Sequence, residues 1–372
     1  MNHQLIILTM NYMERALELS RFCLGKTGSN PPVGAVLVRD GFIVGEGCTE
    51  DVGGRHAEIV AIEQAGSLAR GSTLYVTLEP CCHFGKTPPC TNRIIDEGIE
   101  KVFISVIDPN VIMNGASVLH LKSNDIEVVV GNEEVSARQI MEGYLHRIST
   151  GLPFVTIKFA MSLDGKIATA DKESKWITNE KSRQYSHFVR STSDAILVGI
   201  NTVLTDNPKL SARNEEDDLF ENQPLKVIFD SKGRTPLDAS CLEGDKEVII
   251  FTNDADGIWE QSIREKGVNV IKMPGPDGRV DVFLALEYLG WIGINSILVE
   301  GGGTILSSFF QANLVQKVEA FIAPVIIGGE NAPSVVRGSG AIDLASSWKL
   351  NQIKLDWLDG DIHLAGYVSK EG

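Results

Sequence analysis

Along the first 147 positions the apolar residues switch repeatedly between the two-residue period of a strand and the 3.6-residue period of a helix. The switching then starts afresh after "STGLP" at 149–153. Strands that alternate with helices build layered α/β domains. A restart after a cluster of Ser, Thr, Gly and Pro marks a boundary between two of them. At 372 residues the chain also exceeds one ordinary core. Two α/β domains are expected, over 1–148 and 152–372.

In the first half, helical spacing runs over about 8–23 (Met10, Met13, Leu17, Leu24), and "VGAVLVRDGFIVGEG" reads as two strands about an Asp40-Gly41 turn. A helix from about Arg55 to Gln64, the strand "STLYVTL", a helix over "TNRIIDEGI" and the strands "KVFISVID" and "IEVVV", with a short helix between them, follow. "EEVSARQIMEGYLHRI" reads as one amphipathic helix. In the second half, strands are expected at 154–160, 195–200, 225–230, 246–252, 268–272, 296–300 and 317–327. Helices are expected at 178–190, 257–266, 280–290 and 303–313, with a C-terminal hairpin about Asp359-Gly360. "SARNEEDDLFENQP" reads as an exposed loop.

Charge narrows the function classes. A net charge of −15 opposes binding to nucleic acid through phosphates and to an anionic membrane surface. No apolar run approaches the roughly 18 residues of a membrane helix. The first residues lack a basic n-region and a cleavage site, so a cytoplasmic protein is expected. Of six cysteines, Cys81, Cys82 and Cys90 crowd into ten residues while Cys23, Cys48 and Cys241 are scattered. That distribution suits a local thiolate site better than a disulfide framework.

His56 and Glu58 stand two residues apart at the start of a helix, where i and i+2 do not share a face. The pair suits two groups that reach one point from different directions. Downstream lies "TLEPCCHFGKTPPC". A catalytic zinc takes three nitrogen or sulfur ligands and keeps one position for water. His56, Cys81 and Cys90 supply such a set, and Glu58 can carry a proton from water to a leaving amine. Cys82 ranks second as a ligand. His83 is expected as a substrate contact; the rival is a purely structural zinc whose fourth ligand is either His83 or Cys82. In the second half, "VEGGGTILSSFF" carries a glycine run from strand end to helix start, which offers backbone N–H groups to phosphate or is a plain tight turn. It is not the GxGxxG fingerprint.

"NPPVGAVLV", "HAEIVAI" and "TLEPCCHFGKTPPCT" resemble the bifunctional riboflavin-biosynthesis deaminase–reductases, and "IKFAMSLDGKIATADKESKWITNEKSRQYSHFVRSTSDAILVGINTVLTDNPKLSAR" resembles their reductase domain. The resemblance implies an N-terminal cytidine-deaminase-like three-layer domain and a C-terminal dihydrofolate-reductase-like domain. It implies Zn2+ at His56, Cys81 and Cys90, Glu58 as proton shuttle, and Asn30 against the pyrimidine. The reaction implied is hydrolytic deamination of a diaminopyrimidinone ribosyl phosphate, followed by NADPH reduction of ribosyl to ribityl. Carried over by position, Ser174, Arg190, Leu210, Arg213 and Glu300 would meet substrate. Ala160, Trp176, Thr202, Asp206, Ser231, Gly302, Gly303, Thr304, Ile305, Leu306, Ser307 and Ser308 would meet the cofactor. Arg190 and Arg213 suit a ribose phosphate, and Glu300 needs a partner, with Lys158 and Lys166 as candidates.

Four departures stand out: Cys82 where the family has serine, Phe84 where it has histidine, Asn207 where it has aspartate, and "DPNVIMNGAS" where it runs to a glycine-flanked Lys or Arg. The last removes a basic residue from the first domain, for which Lys86 could substitute. Two other readings are a reductase with an altered or inactive deaminase half and a nucleic-acid base deaminase with an accessory domain. The partner expected is the small-molecule substrate, and a homo-oligomer is compatible with the sequence.

Overall fold

The computed structural model describes residues 11–84, 88–244 and 247–369. The expected helix start at 8–10 and Lys86 lie outside the described residues. The chain divides into two compact units, Met1–Thr150 and Gly151–Gly372.

The first unit runs α1 (Tyr12–Phe22), β1 (Gly34–Arg39), β2 (Phe42–Cys48), α2 (Ala57–Ala65), β3 (Thr73–Leu78), α3 (Cys90–Asp96), β4 (Lys101–Val106), α4 (Ala116–Ser123), β5 (Glu127–Val130), α5 (Glu134–Ile140) and α6 (Glu142–Thr150). Among the described residues its sheet has the order β2-β1-β3-β4-β5. β1 is antiparallel to β2 and β3, whereas β3, β4 and β5 are parallel. The β1–β2 turn is closed by Asp40 and Gly41, both at positive φ as a tight two-residue hairpin requires. Glycines on β2 let α2 approach closely: a Cβ on Gly45 would lie 2.1 Å from the Ala61 carbonyl oxygen, and one on Gly47 2.2 Å from that of Ala57. α1 packs on the opposite face, so the sheet is the middle of three layers. The core around Leu37, Ile62, Leu74, Ile94 and Ile104 is sealed. The single helix expected over the "EEVSARQIMEGYLHRI" stretch is two, α5 and α6. Met141 leaves helical geometry (φ −99, ψ 15) and drops into the core.

The second unit runs β6 (Phe154–Ser162), α7 (Glu180–Ser191), β7 (Ala195–Gly199), α8 (Ile200–Asp206), β8 (Leu225–Phe229), β9 (Val248–Thr252), α9 (Gly257–Arg264), β10 (Asn269–Lys272), α10 (Val282–Trp291), β11 (Ser296–Val299), α11 (Gly303–Gln311), β12 (Lys317–Ala323), β13 (Lys349–Leu358) and β14 (Asp361–Ser369). The sheet order is β10-β9-β8-β7-β11-β6-β12-β14-β13 among the described residues. Neighbours are parallel from β10 to β12, and β14 then runs antiparallel to both β12 and β13. Parallel strands buried on both faces read as continuous apolar runs. Leu197 and Phe251 accordingly face one core, and Ile196, Val198 and Ile250 the other. The boundaries that differ most from expectation are those of β12, which stops at Ala323, and of the C-terminal hairpin, which extends back to Lys349. α8 was not expected. It follows β7 directly, with Gly199 as its N-cap and no capping side chain to announce it.

Candidate active sites

His56 is the N-cap of α2, in extended geometry (φ −74, ψ 157), and its imidazole makes no capping bond. The ring is thus available to the loop after β3. That loop brings Cys81 beside Cys90, the first residue of α3, whose backbone N–H donates to Cys81 Sγ at 3.2 Å. His56 Nδ1 lies 3.5 Å from Cys81 Sγ and 3.3 Å from Cys90 Sγ. One donor atom from each of the three falls within 4.8 Å of the others. Cys82 and His83 do not join them. Cys82 Sγ and His83 Nδ1 both turn to the Met113 sulfur, at 3.8 and 3.3 Å. Among the described residues the cluster therefore ends at three ligands, which leaves a tetrahedral ion one position for solvent.

The donor set fits a divalent cation on electrostatic grounds. The neighbouring Cys90 thiol and the His56 ring, with the Cys90 backbone N–H, hold the Cys81 thiol down at about 4. Cys81 in turn raises His56 to about 9, and the Cys90 thiol is pushed up beside Cys81. Three ligands competing for so few protons in a mostly buried site are what a cation relieves. Glu58 is buried next to them, and burial, then the Cys81 charge, raises its carboxyl to about 7. It can both hold and release a proton near neutrality.

His56, Glu58 and Cys81 face a cavity of about 370 Å³, which Asn30, Thr49, Asp108, Met113, Tyr144 and Arg147 also line. Arg147 donates to the Ser29 carbonyl at 3.0 Å and so fixes the loop that carries Asn30. The Tyr144 hydroxyl donates to Asp108 at 3.0 Å. The sequence reading missed Glu79. Its buried carboxylate accepts from the backbone N–H groups of Asp108, Gly115 and Ser117 and from the Ser117 hydroxyl, and it fastens the 108–117 loop over the cavity. Nothing in the pattern of a lone glutamate between Leu78 and Pro80 announces that role. In the departing segment Val111 and Ile112 are exposed and Met113 is buried against Cys82 and His83.

In the second unit a cleft of about 1330 Å³ opens at the carboxyl ends of β6, β7 and β11, where ligands of parallel sheets bind. It gathers Ala160, Ser174, Trp176, Arg190, Thr202, Asp206, Leu210, Arg213, Glu300, Gly302, Gly303 and Thr304. Ser231, Ile305, Leu306, Ser307 and Ser308 do not line it. Leu306 is fully buried in the core. The Ser231 hydroxyl accepts from the Val280 N–H, and that of Ser308 donates to the Thr304 carbonyl. The Leu210 side chain is likewise in the core, so a ligand in the cleft can meet only its backbone. Trp176 is 70% exposed, with Arg183 over its ring at 4.6 Å, so it is a wall of the cleft and not core packing.

Glu300 is hydrogen-bonded by Arg190 rather than by the lysines expected, of which Lys158 contributes its charge. Arg190 grips it with a fork, Nε and Nη2 each donating at 2.8 Å, and gives Nη1 to the Ser211 carbonyl. Burial would raise the Glu300 carboxyl, but Arg190 and Lys158 outweigh it and hold it at about 2. Arg190 is thus committed to Glu300, whereas Lys166 reaches the Ala332 carbonyl. Arg213 is steadied by Ser211 and Asp217 at the cleft rim. Asp164 is structural: it accepts from the N–H groups of Ile327 and Gly328. Asn207, where the family has aspartate, closes α8 in the left-handed region and accepts from the Ser240 N–H at 2.8 Å.

A His–Cys–Cys metal cluster beside a buried carboxylate, on a cytidine-deaminase-like fold, and a cleft at a parallel sheet's carboxyl edge define the class: a zinc-binding deaminase joined to a dihydrofolate-reductase-like reductase. Residues 8–106 match the cytidine and deoxycytidylate deaminase zinc-binding region, and residues 153–364 match the RibD C-terminal domain. The riboflavin biosynthesis protein RibD of Actinobacillus pleuropneumoniae is 39% identical over 361 residues, covering 96% of this chain and 95% of the relative. That of Aquifex aeolicus is 42% identical over 318 residues, covering 86% and 87%. Among solved structures, Acinetobacter baumannii RibD (form 1) superposes with a TM-score of 0.87 at 35% identity, covering 96% of this chain and 98% of that one. The Thermotoga maritima diaminohydroxyphosphoribosylaminopyrimidine deaminase/5-amino-6-(5-phosphoribosylamino)uracil reductase gives 0.82 at 35% identity with the same coverage. The chain belongs to the RibD family, the bifunctional deaminase–reductases of riboflavin biosynthesis. No helix among the described residues is long and apolar enough to cross a membrane.

Proposed function

We propose that residues 1–148 form a zinc-dependent deaminase domain for a diaminopyrimidinone ribosyl phosphate, and that residues 152–372 form an NADPH-dependent domain that reduces the ribosyl group to ribityl. The observation that carries the first half is the convergence of His56, Cys81 and Cys90 beside buried Glu58. Zinc held by those three would supply the Lewis acid that makes water nucleophilic at neutral pH. Glu58 accepts the proton of the attacking water and returns it to the departing amine, so that ammonia leaves neutral. Asn30, on the loop that Arg147 fixes, orients the ring. Glu79 holds the 108–117 loop against solvent entry.

In the second unit NADPH would supply the hydride. Gly302, Gly303 and Thr304 present backbone N–H groups at the start of α11, and Thr202, Asp206, Ala160 and Trp176 complete the cofactor side. Glu300, oriented by Arg190, faces the sugar hydroxyls, with Ser174 and Arg213 toward the phosphate. Joining the two activities in one chain suits successive steps on one metabolite, carried out in the cytoplasm, by a homo-oligomer or by single chains. The test is Glu58→Gln. It should keep bound zinc while ammonia release falls by roughly 10²-fold or more. Ammonia release at the parent rate would remove Glu58 from the reaction.

A further inference from the structure

Two cysteines far apart in the sequence, Cys23 and Cys48, meet in the first unit. Cys23 is the C-cap of α1, and β2 ends at Cys48. The strand register shows why they meet. Cys48 pairs with Gly34 across β1 and β2, and directly opposed residues share a face. A Cβ on Gly34 would lie 1.9 Å from the Ala16 carbonyl oxygen and 2.7 Å from the Ser20 nitrogen, so that face is the one beneath the end of α1. Cys23 Sγ donates to the Ser20 and Val33 carbonyls at 3.3 and 3.7 Å, and the same Val33 carbonyl accepts the N–H of Thr49, the residue after Cys48, at 3.0 Å, so the two thiols lie in one corner of the fold. Neither belongs to the metal cluster.

The pair is asymmetric. Cys23 is buried and Cys48 half-buried. The neighbouring Cys23 thiol, helped by the Lys26 charge, brings the Cys48 thiol down to about 7, and Cys48, then burial, pushes Cys23 up. An accessible thiolate beside a second thiol is the arrangement in which one sulfur reacts and the other resolves. The site also touches the deaminase cavity. Thr49 donates its N–H to the Val33 carbonyl at 3.0 Å and accepts the Val33 N–H on Oγ1 at 3.1 Å, and both residues line that cavity.

We propose that Cys23 and Cys48 are a hydroperoxide-reactive dithiol that closes to a disulfide and thereby alters one wall of the deaminase cavity. The Cys48 thiolate attacks the terminal oxygen of the hydroperoxide. The O–O bond breaks, and the leaving oxygen takes a proton and departs as alcohol or water. Cys48 is left as a sulfenic acid. The Cys23 sulfur attacks the Cys48 sulfur, the S–OH bond breaks, and the hydroxide leaves as water with the Cys23 proton. The dithiol has lost two electrons to the peroxide, and a thiol reductant restores it.

The test treats the zinc-loaded full chain with increasing hydrogen peroxide and follows zinc content, thiol-specific peptide masses and both activities. The expected result is a Cys23–Cys48 cross-linked peptide, lighter by two hydrogen atoms, that forms before zinc is released and disappears with dithiothreitol. Cys48→Ser should abolish it. Cys23→Ala should leave a Cys48 sulfenic acid that dimedone traps. In the cross-linked protein the KM of deamination should shift while that of reduction does not. Only this last readout rests on the proposed deaminase role. Oxidation of Cys81 or Cys90 while Cys23 and Cys48 stay reduced would overturn the site. A cross-link that forms with no shift in deamination KM would overturn its coupling to the cavity.

Discussion

At the scale of single residues, the Arg190–Glu300 pair shows how the second cleft is held. Both side chains are largely buried, and each depends on the other for compensation. Glu300→Gln leaves the guanidinium without its carboxylate and should destabilise the protein by roughly 3–5 kcal/mol at neutral pH. The pH dependence has a definite sign. Glu300 is held at about 2, below the ordinary carboxyl value of 4.5, so its contribution is complete above 4.5 and is lost as pH falls through that window toward 2. The gap in melting temperature between the parent and Glu300→Gln should therefore be widest at neutral pH and narrow at about pH 3. A gap that is constant with pH would show that the carboxylate's charge does not matter there. Arg213, by contrast, is tied to an exposed aspartate at the rim and remains the better candidate for a phosphate ligand. Arg213→Ala should accordingly raise the KM of reduction with little change in melting temperature.

At the scale of elements, the metal site depends on how close α2 lies to β2. His56, Ala57 and Glu58 open that helix, and the Ala57 carbonyl rests where a Gly47 Cβ would be. Gly47→Ala cannot be absorbed by a flexible side chain, because the obstructing atom is backbone. It should cost about 1–3 kcal/mol by overpacking and move the helix start, so zinc retention during dialysis against a mild chelator should fall. Retention equal to the parent's would mean that the helix shifts without disturbing its first turn. Much of this element scale was legible in the sequence. The parallel strands β7, β8, β9 and β11 are buried on both faces and announce themselves as apolar runs, and Asp40-Gly41 and Asp359-Gly360 announce their turns. α8 was hidden because it is one short segment without a capping side chain, and the break at Met141 because the helical period continues through it. The ligands His56, Cys81 and Cys90 were legible because metal chemistry restricts residue type and spacing. Glu79, the Arg190–Glu300 fork and the Cys23–Cys48 meeting were not, since each is a long-range contact set by strand register and loop path.

At the scale of the whole molecule, each candidate site is built from one unit alone. The three metal ligands and Glu58 come from Met1–Thr150, and the reductase cleft is lined entirely by residues of Gly151–Gly372. Metal can therefore stabilise only the groups that hold it, and its free energy of binding enters the first unit's balance and not the second's. Chelation separates the two activities on this basis. After dialysis against a strong chelator, ammonia release from the diaminopyrimidinone substrate should vanish, while NADPH oxidation assayed on the already deaminated substrate should stay at the parent rate. Restoring zinc should return the first activity alone. The deaminated substrate matters here: if the reaction were started from the first substrate, loss of deamination would starve the reductase and mimic a shared requirement. If reduction of the deaminated substrate also fails on chelation and returns with zinc, the metal supports both sites. The division of labour argued from the two separate sets of lining residues would then be wrong.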